Sequence, residues 1–404
     1  MSLLKLDREV FFSIFAQLLN LIFPLMLFIY ISRSFDLKTI VIFESVLSFI
    51  SFSSILQDFG SSFFFSFKKY SEKSWGKVLG SMILLKFLLS VFLVFVLVMF
   101  FLFFDITKTE IMYSTLIILI GCFDLPFIFY SKAKTHIYSF IVSFKFPVCF
   151  IFILFGFSVL SSFLFSYILV CTVITFFNFN FCAKNIRFSF KLAKCIFGKY
   201  KKFTLTEVLT AVFSQLDGFI VVQLMKPEQA YIYLLIRKVI RAVNALVNHV
   251  YRISFTRSKK GDDSFFKILI QLFLFNVVFV FIVNIISLYL FEEINYLVSY
   301  QIYSKDVFVL VALLQSSILI VGFFKVVIRN NYLLTNEFFD LHLYATLLSF
   351  LFFISPLFFY YLHSLTISAS EISLYRILAD VIYVLFVLLV YVSAKFFKRN
   401  QISG

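Results

Sequence analysis

Arg237 and Arg241 stand one helical turn apart, several residues inside an apolar stretch of the chain. A charged side chain at the centre of a membrane helix costs about 2.5–3.5 kcal/mol on insertion scales, so a pair placed there needs something to offset it. Two arginines on one helix face can bind an anion, and Asn244 and Asn248 continue their stripe at helical spacing. The other outlet is an internal salt bridge with Glu44 or Asp217. Lys325 and Arg376 are the next cations of this kind, although Asp380 follows Arg376 at i+4 and can pair with it. Gln17 and Asn20, in a stripe with Ser13 and Pro24, are polar contacts for the same substrate cavity. Glu44, Asp58, Glu207 and Asp217 are carboxylates able to take up H+ or Na+ as a coupling ion; pairing with the basic residues is their competing role. Lys86 and Lys145 read as snorkelling or locally paired, and Arg33 as a solvated anchor at an outer helix end. The five cysteines and four histidines are scattered singly, so no metal set, disulfide framework, catalytic constellation or resident cofactor is expected.

The elements that hold these residues are membrane helices. With 62% hydrophobic and 14% charged residues over 404 positions, and a mean hydropathy of +1.02, the chain belongs in a bilayer. Taking about 20 apolar residues per crossing, spans fall near 9–32, 39–65, 78–104, 111–130, 137–157 and 162–183. Six more fall near 204–225, 229–253, 264–290, 307–328, 341–361 and 372–394. The expected fold is all-α and polytopic, with about twelve helices in two six-helix lobes related by a pseudo-twofold repeat around a central cavity. Residues 1–183 form the first lobe, 184–203 a basic linker, 204–396 the second lobe and 397–404 a tail. Polar stripes mark the first two helices of each lobe: Ser13 to Pro24, Glu44 to Asp58, Glu207 to Asp217 and Arg237 to Arg252. Those four spans are expected to line the cavity, whereas spans 3 and 9 face lipid. For Ser48, Ser51, Ser54, Thr210 and Ser214, hydrogen bonding between helices is as good a reading as substrate contact.

Charge gives the orientation. With both termini inside, alternate loops hold about 23 basic residues on the cytoplasmic side and about five opposite. The net charge of +15 therefore reports topology, and no nucleic-acid partner follows from it. The linker carries Lys184, Arg187, Lys191, Lys194, Lys199, Lys201 and Lys202 beside Phe188, Phe190, Leu192, Ile196 and Phe197. That composition suits a helix on an anionic leaflet, making membrane lipids a partner and the linker a hinge for alternating access. No large outer loop exists to carry enzyme chemistry, and G-x-x-x-x-G-K-[ST] is absent, so neither enzymatic activity nor ATP hydrolysis is expected.

Several short motifs carry a resemblance. Ile31-Ser32-Arg33 closes span 1, and Gln57-Asp58-Phe59-Gly60 with Lys68-Lys69 closes span 2. Gln215-Leu216-Asp217 lies in span 7, and Glu228-Gln229-Ala230-Tyr231-Ile232-Tyr233 opens span 8. These resemble the starts of the two halves of the Wzx-type O-antigen and polysaccharide flippases, with Ile42 to Glu44 and Ala230 where that family usually has glycines. The resemblance implies a polysaccharide transporter of the multidrug/oligosaccharidyl-lipid/polysaccharide superfamily in the bacterial inner membrane. It implies movement of an undecaprenyl-pyrophosphate-linked oligosaccharide to the outer leaflet, with a polysaccharide polymerase and a chain-length regulator as further partners. A multidrug exporter on the same fold, or a membrane-embedded polymerase or ligase, is the competing expectation.

Overall fold

The computed structural model describes the chain except residues 1–7, 36, 59–71, 102–107, 127–128, 130–134, 183–186, 212–223, 259–264, 298–303, 329–338 and 403–404. Within the described residues all regular structure is helical, and seven helices are long and apolar enough to cross a membrane. Leu18–Ser34 and Ile111–Phe123 are shorter apolar helices. The protein is thus an all-α, multi-pass membrane protein.

Two compact units divide the chain, one of Met1–Phe28 and Ile42–Phe219, the other of Ile29–Val41 and Ile220–Gly404. The helices that supply the first unit are α1 (Arg8–Ser34), α2 (Leu37–Asp58), α3 (Glu72–Phe101), α4 (Lys108–Ile120), α5 (Thr135–Ser143), α6 (Lys145–Leu154), α7 (Val159–Cys182) and α8 (Phe190–Ala211). The end of α1 and the start of α2 group with the second unit. There follow α9 (Pro227–Ser258), α10 (Phe265–Tyr289), α11 (Phe291–Leu297), α12 (Lys305–Ile328), α13 (Phe339–Leu362) and α14 (Ala369–Ile402).

Two spans expected as unbroken helices are interrupted. The fourth runs as α4, tightens into a 3-10 turn at Gly121–Phe123 and leaves Asp124 extended, at φ −76° and ψ 102°. Pro126 explains the interruption, since it has no N–H to donate and drives Leu125 out of the helical region. Gly121 allows the close pass: a Cβ there would strike Gln57 Oε1. The fifth span breaks at Phe144 between α5 and α6, where Pro147 excludes the carbonyl of Ser143 from the ladder. Breaks of this kind at membrane depth are tolerated where side chains take over the freed groups.

Several other hydroxyls in the spans are satisfied by their own helix. Ser90 Oγ donates to the Lys86 carbonyl, Thr210 to Thr206, Ser287 to Val283 and Thr346 to His342, each four residues back. Pro356 inside α13 frees the Phe352 carbonyl, and Ser355 Oγ caps it at 3.4 Å. Thr210 is thereby assigned to its own helix.

The turns before α7 and α14 close the same way. Gly156 (φ 87°) and Ser364 (φ 52°) end the preceding helices in left-handed conformations, with Phe157 N donating to Phe152 O and Leu365 N to Tyr360 O. Ser158 and Ser368 then cap the next helices: Ser161 N donates to Ser158 Oγ, and Glu371 N to Ser368 Oγ. Ser368 N donates back to Glu371 Oε2, completing a capping box in the second unit.

The basic segment is tied to the first unit. Arg187 N donates to Gly76 O, Ser81 Oγ donates to Ser189 O, and Ala193 packs on Leu85. A Cβ on Gly80 would lie 2.5 Å from the Arg187 carbonyl oxygen, so only glycine permits this approach. Helix α8 then passes through position 203 without a break, continuing from the expected linker into the expected seventh span.

Candidate functional site

Four of the expected cations converge inside the second unit. Lys325 Nζ lies 2.5 Å from Asp380 Oδ1, and Arg376 Nε lies 3.7 Å from Oδ2 of the same carboxylate. Both cations also rest on aromatic faces, Lys325 over Tyr383 at 4.8 Å and Arg376 over Phe353 at 5.9 Å. Arg376 and Arg241 both lie within electrostatic reach of Tyr233, beside Gln315. The guanidinium of buried Arg237 stands 5.8 Å from the centroid of that same Tyr233 ring. Helices α9, α12 and α14 therefore bring Arg237, Arg241, Lys325 and Arg376 around Tyr233 and Asp380. Among the described contacts this is a cation-rich cluster held by aromatic rings and the Asp380 carboxylate, a chemistry that can attract an anion.

A hydrogen-bonded surround extends the cluster. Gln315 Nε2 donates to Ser373 Oγ, and Tyr383 shares a hydrogen bond with His342 Nδ1 at 2.8 Å. Gln229 Oε1 accepts from Ala369 N at the starts of α9 and α14. Tyr233, Gln315 and Tyr383 escape a search for charged residues. The Gln-Ser-Ser run at 315–317 in an otherwise apolar span is the visible signal for the middle one. Arg33 is exposed as expected, and its guanidinium donates to the Tyr296 carbonyl.

The remaining expected residues do not join this cluster in the described contacts. Asn244 is half-buried on α9, three residues beyond Arg241, and Asn20 is half-buried on α1. Glu44 is buried on α2. Gln17, Glu207 and Asn248 sit on described helices, but their side chains, and all of Asp217, lie outside the described residues.

The first unit holds a second charged centre. Lys86, only 1% exposed, donates to the Asp124 carbonyl at 2.5 Å and lies 3.9 Å from Asp58 Oδ1. Local pairing, not snorkelling, is thus the fate of Lys86. Tyr138 Oη donates to the Asp124 carboxylate at 3.0 Å. Lys145 stands 4.6, 4.9 and 5.4 Å from the rings of Phe163, Tyr167 and Phe146, within electrostatic reach of Asp124. Gln57 Nε2 donates to Ser90 Oγ and to the Ile118 carbonyl, joining α2, α3 and α4 beside the centre. Asp124 is absent from the sequence-derived candidates, although its place between Gly121 and Pro126 marks a broken membrane helix.

No protein-family model matches the sequence, and no curated protein matches it. Solved structures do. The chain superposes on the inward-facing conformation of a multidrug resistance MATE family transporter of the MOP superfamily with a TM-score of 0.63, at 11% identity, covering 94% of this chain and 95% of that one. The outward-facing conformation of a MATE transporter of that superfamily gives 0.46 at 11% identity, covering 96% and 95%. MATE in complex with Br-NRF gives 0.43 at 12% identity, covering 96% of each. Over nearly its whole length, then, the chain has the two-lobe helical fold of the MATE transporters of the MOP superfamily.

Proposed function

We propose that the protein is a flippase for a lipid-linked, pyrophosphate-bearing oligosaccharide, acting by alternating access in the bacterial inner membrane with both termini cytoplasmic. The convergence of Arg237, Arg241, Lys325 and Arg376 inside one unit carries this reading. A pyrophosphate needs charge-assisted donors to leave water, and planar guanidinium groups match its oxygens two at a time. The sugars need only polar lining, and the prenyl tail stays in lipid. A membrane potential negative inside favours outward movement of an anion by about 2.3 kcal/mol per charge per 100 mV, so a path is the main requirement. Glu44, Asp58, Glu207 and Asp217 remain the candidates for H+ or Na+ coupling. The second reading, a multidrug exporter, is favoured by the neighbour of highest TM-score quoted above, which is a multidrug resistance transporter.

The test is the sidedness of lipid-linked oligosaccharide in cells with the gene deleted, downstream polymerisation and ligation being blocked. Cytoplasmic accumulation reversed by wild type, and not by a correctly inserted Arg237→Ala/Arg241→Ala protein, supports the flippase and its site. Unchanged sidedness in a strain with no redundant flippase moves drug efflux to the front.

A further inference from the structure

The charged centre of the first unit has the donor set of a cation site. Asp124 stands where a membrane helix is interrupted, offering a backbone carbonyl and a carboxylate, and Asp58 adds a second carboxylate. Unwound carbonyls beside carboxylates are how discontinuous helices in secondary transporters hold Na+ or H+ near mid-membrane. Here an ammonium already sits on those oxygens: Lys86 Nζ is 2.5 Å from the Asp124 carbonyl and 3.9 Å from Asp58 Oδ1. The second ammonium, Lys145, is held by three rings on the Asp124 side. Among the described residues, two carboxylates and two ammoniums meet here. Tyr138 takes up the Asp124 carboxylate without adding charge.

We infer that Lys86 is a tethered cation filling a monovalent-cation site of the first unit, so that the site formed by Asp58 and Asp124 binds no exchangeable Na+. The ammonium of a lysine carries the same charge as Na+ and has three N–H donors for oxygens that would otherwise ligate the ion; the Asp124 carbonyl takes one, and Asp58 supplies the opposite charge at 3.9 Å. The consequence is specific: of the four candidate coupling carboxylates, Asp58 already faces a counter-ion that cannot leave. This inference concerns the first unit and stands whatever substrate the protein carries.

The experiment is thermal unfolding of the purified full-length protein at constant ionic strength in choline chloride, sodium chloride or propylammonium chloride. Lys86→Ala leaves two carboxylates and a space of about three methylenes and one ammonium, whereas Lys86→Met fills the space without charge. The Lys86→Ala midpoint is expected to fall by about 5–10 °C in choline and to recover in propylammonium, with a smaller recovery in sodium. Lys86→Met and wild type are expected to respond to none of the three. Where Lys86→Ala does not survive purification in choline, its yield of monodisperse protein with and without propylammonium gives the same readout. Failure of propylammonium to restore Lys86→Ala, equal stabilisation of Lys86→Met by propylammonium, or a saturable Na+ stabilisation of wild type that Lys86→Ala loses, each overturns the inference.

Discussion

Asp380 is nearly inaccessible, and the two cations that reach it make it the electrostatic centre of the second unit. Removing one partner of a buried pair leaves the other charge stranded, at about 3–5 kcal/mol. Lys325→Ala leaves Asp380 with Arg376 and is therefore expected to lower stability by part of that amount in equilibrium unfolding. The triple variant Lys325→Met/Arg376→Met/Asp380→Leu, which removes all three charges and roughly keeps the volume, is expected to regain most of the loss. A Lys325→Ala protein as stable as wild type would show that Lys325 contributes nothing as a partner. The arginines call for a different comparison. Lysines at 237 and 241 keep the charge and lose the bidentate fork, so Arg237→Lys/Arg241→Lys should retain part of the export that the double alanine abolishes. At this scale the sequence shows the cations well, because a charge in an apolar run is conspicuous. It does not show which cations share a carboxylate: the i+4 spacing suggests Arg376 with Asp380, but the shorter contact comes from Lys325, 55 positions away.

Helices are where the sequence is most legible and where its main omission lies. Apolar runs place nearly every described crossing, since about 20 residues of lipid-compatible side chain have few other homes. Proline placement in two of those runs matters more than hydropathy. Pro126 and Pro147 break the fourth and fifth spans, and the break in the fourth exposes the Asp124 carbonyl to Lys86. Hydropathy averages over such positions and reads both spans as continuous. Two predictions belong here. Gly80→Leu must displace the Arg187 carbonyl, so it is expected to detach the start of the basic segment and make residues near 187–190 sensitive to limited proteolysis. Gly198→Ala, with nothing within 4 Å of its added methyl, serves as the control and is expected to leave cleavage unchanged. Ser368→Ala removes the cap of α14 and both hydroxyl contacts to Glu371, and is expected to cost about 1 kcal/mol in unfolding measurements.

At the level of the whole molecule, fold and topology come from different signals. The fold rests on helix content and on the superposition with a MATE transporter at 11% identity, a level at which side chains carry little of the likeness. Topology rests on charge: about 23 basic residues in one set of loops and about five in the other. Cys195 makes the topology testable. It is exposed on α8, whereas Cys122, Cys149 and Cys171 are buried. In a variant with Cys182 replaced by serine, an impermeant maleimide is expected to label Cys195 in inside-out vesicles and not in intact spheroplasts; the reverse pattern would invert the orientation. The central claim, that the buried cations carry an anionic lipid-linked glycan, is tested most directly by flipping in vesicles. The purified protein is reconstituted, supplied with a pyrophosphate-linked prenyl oligosaccharide, and the fraction reaching the opposite leaflet is followed with and without a membrane potential. The account predicts protein-dependent flipping that a potential negative on the starting side accelerates, lost with Arg237→Ala/Arg241→Ala while the helical content is kept. Flipping that is indifferent to the double substitution, or none at all alongside efflux of cationic drugs, would contradict it.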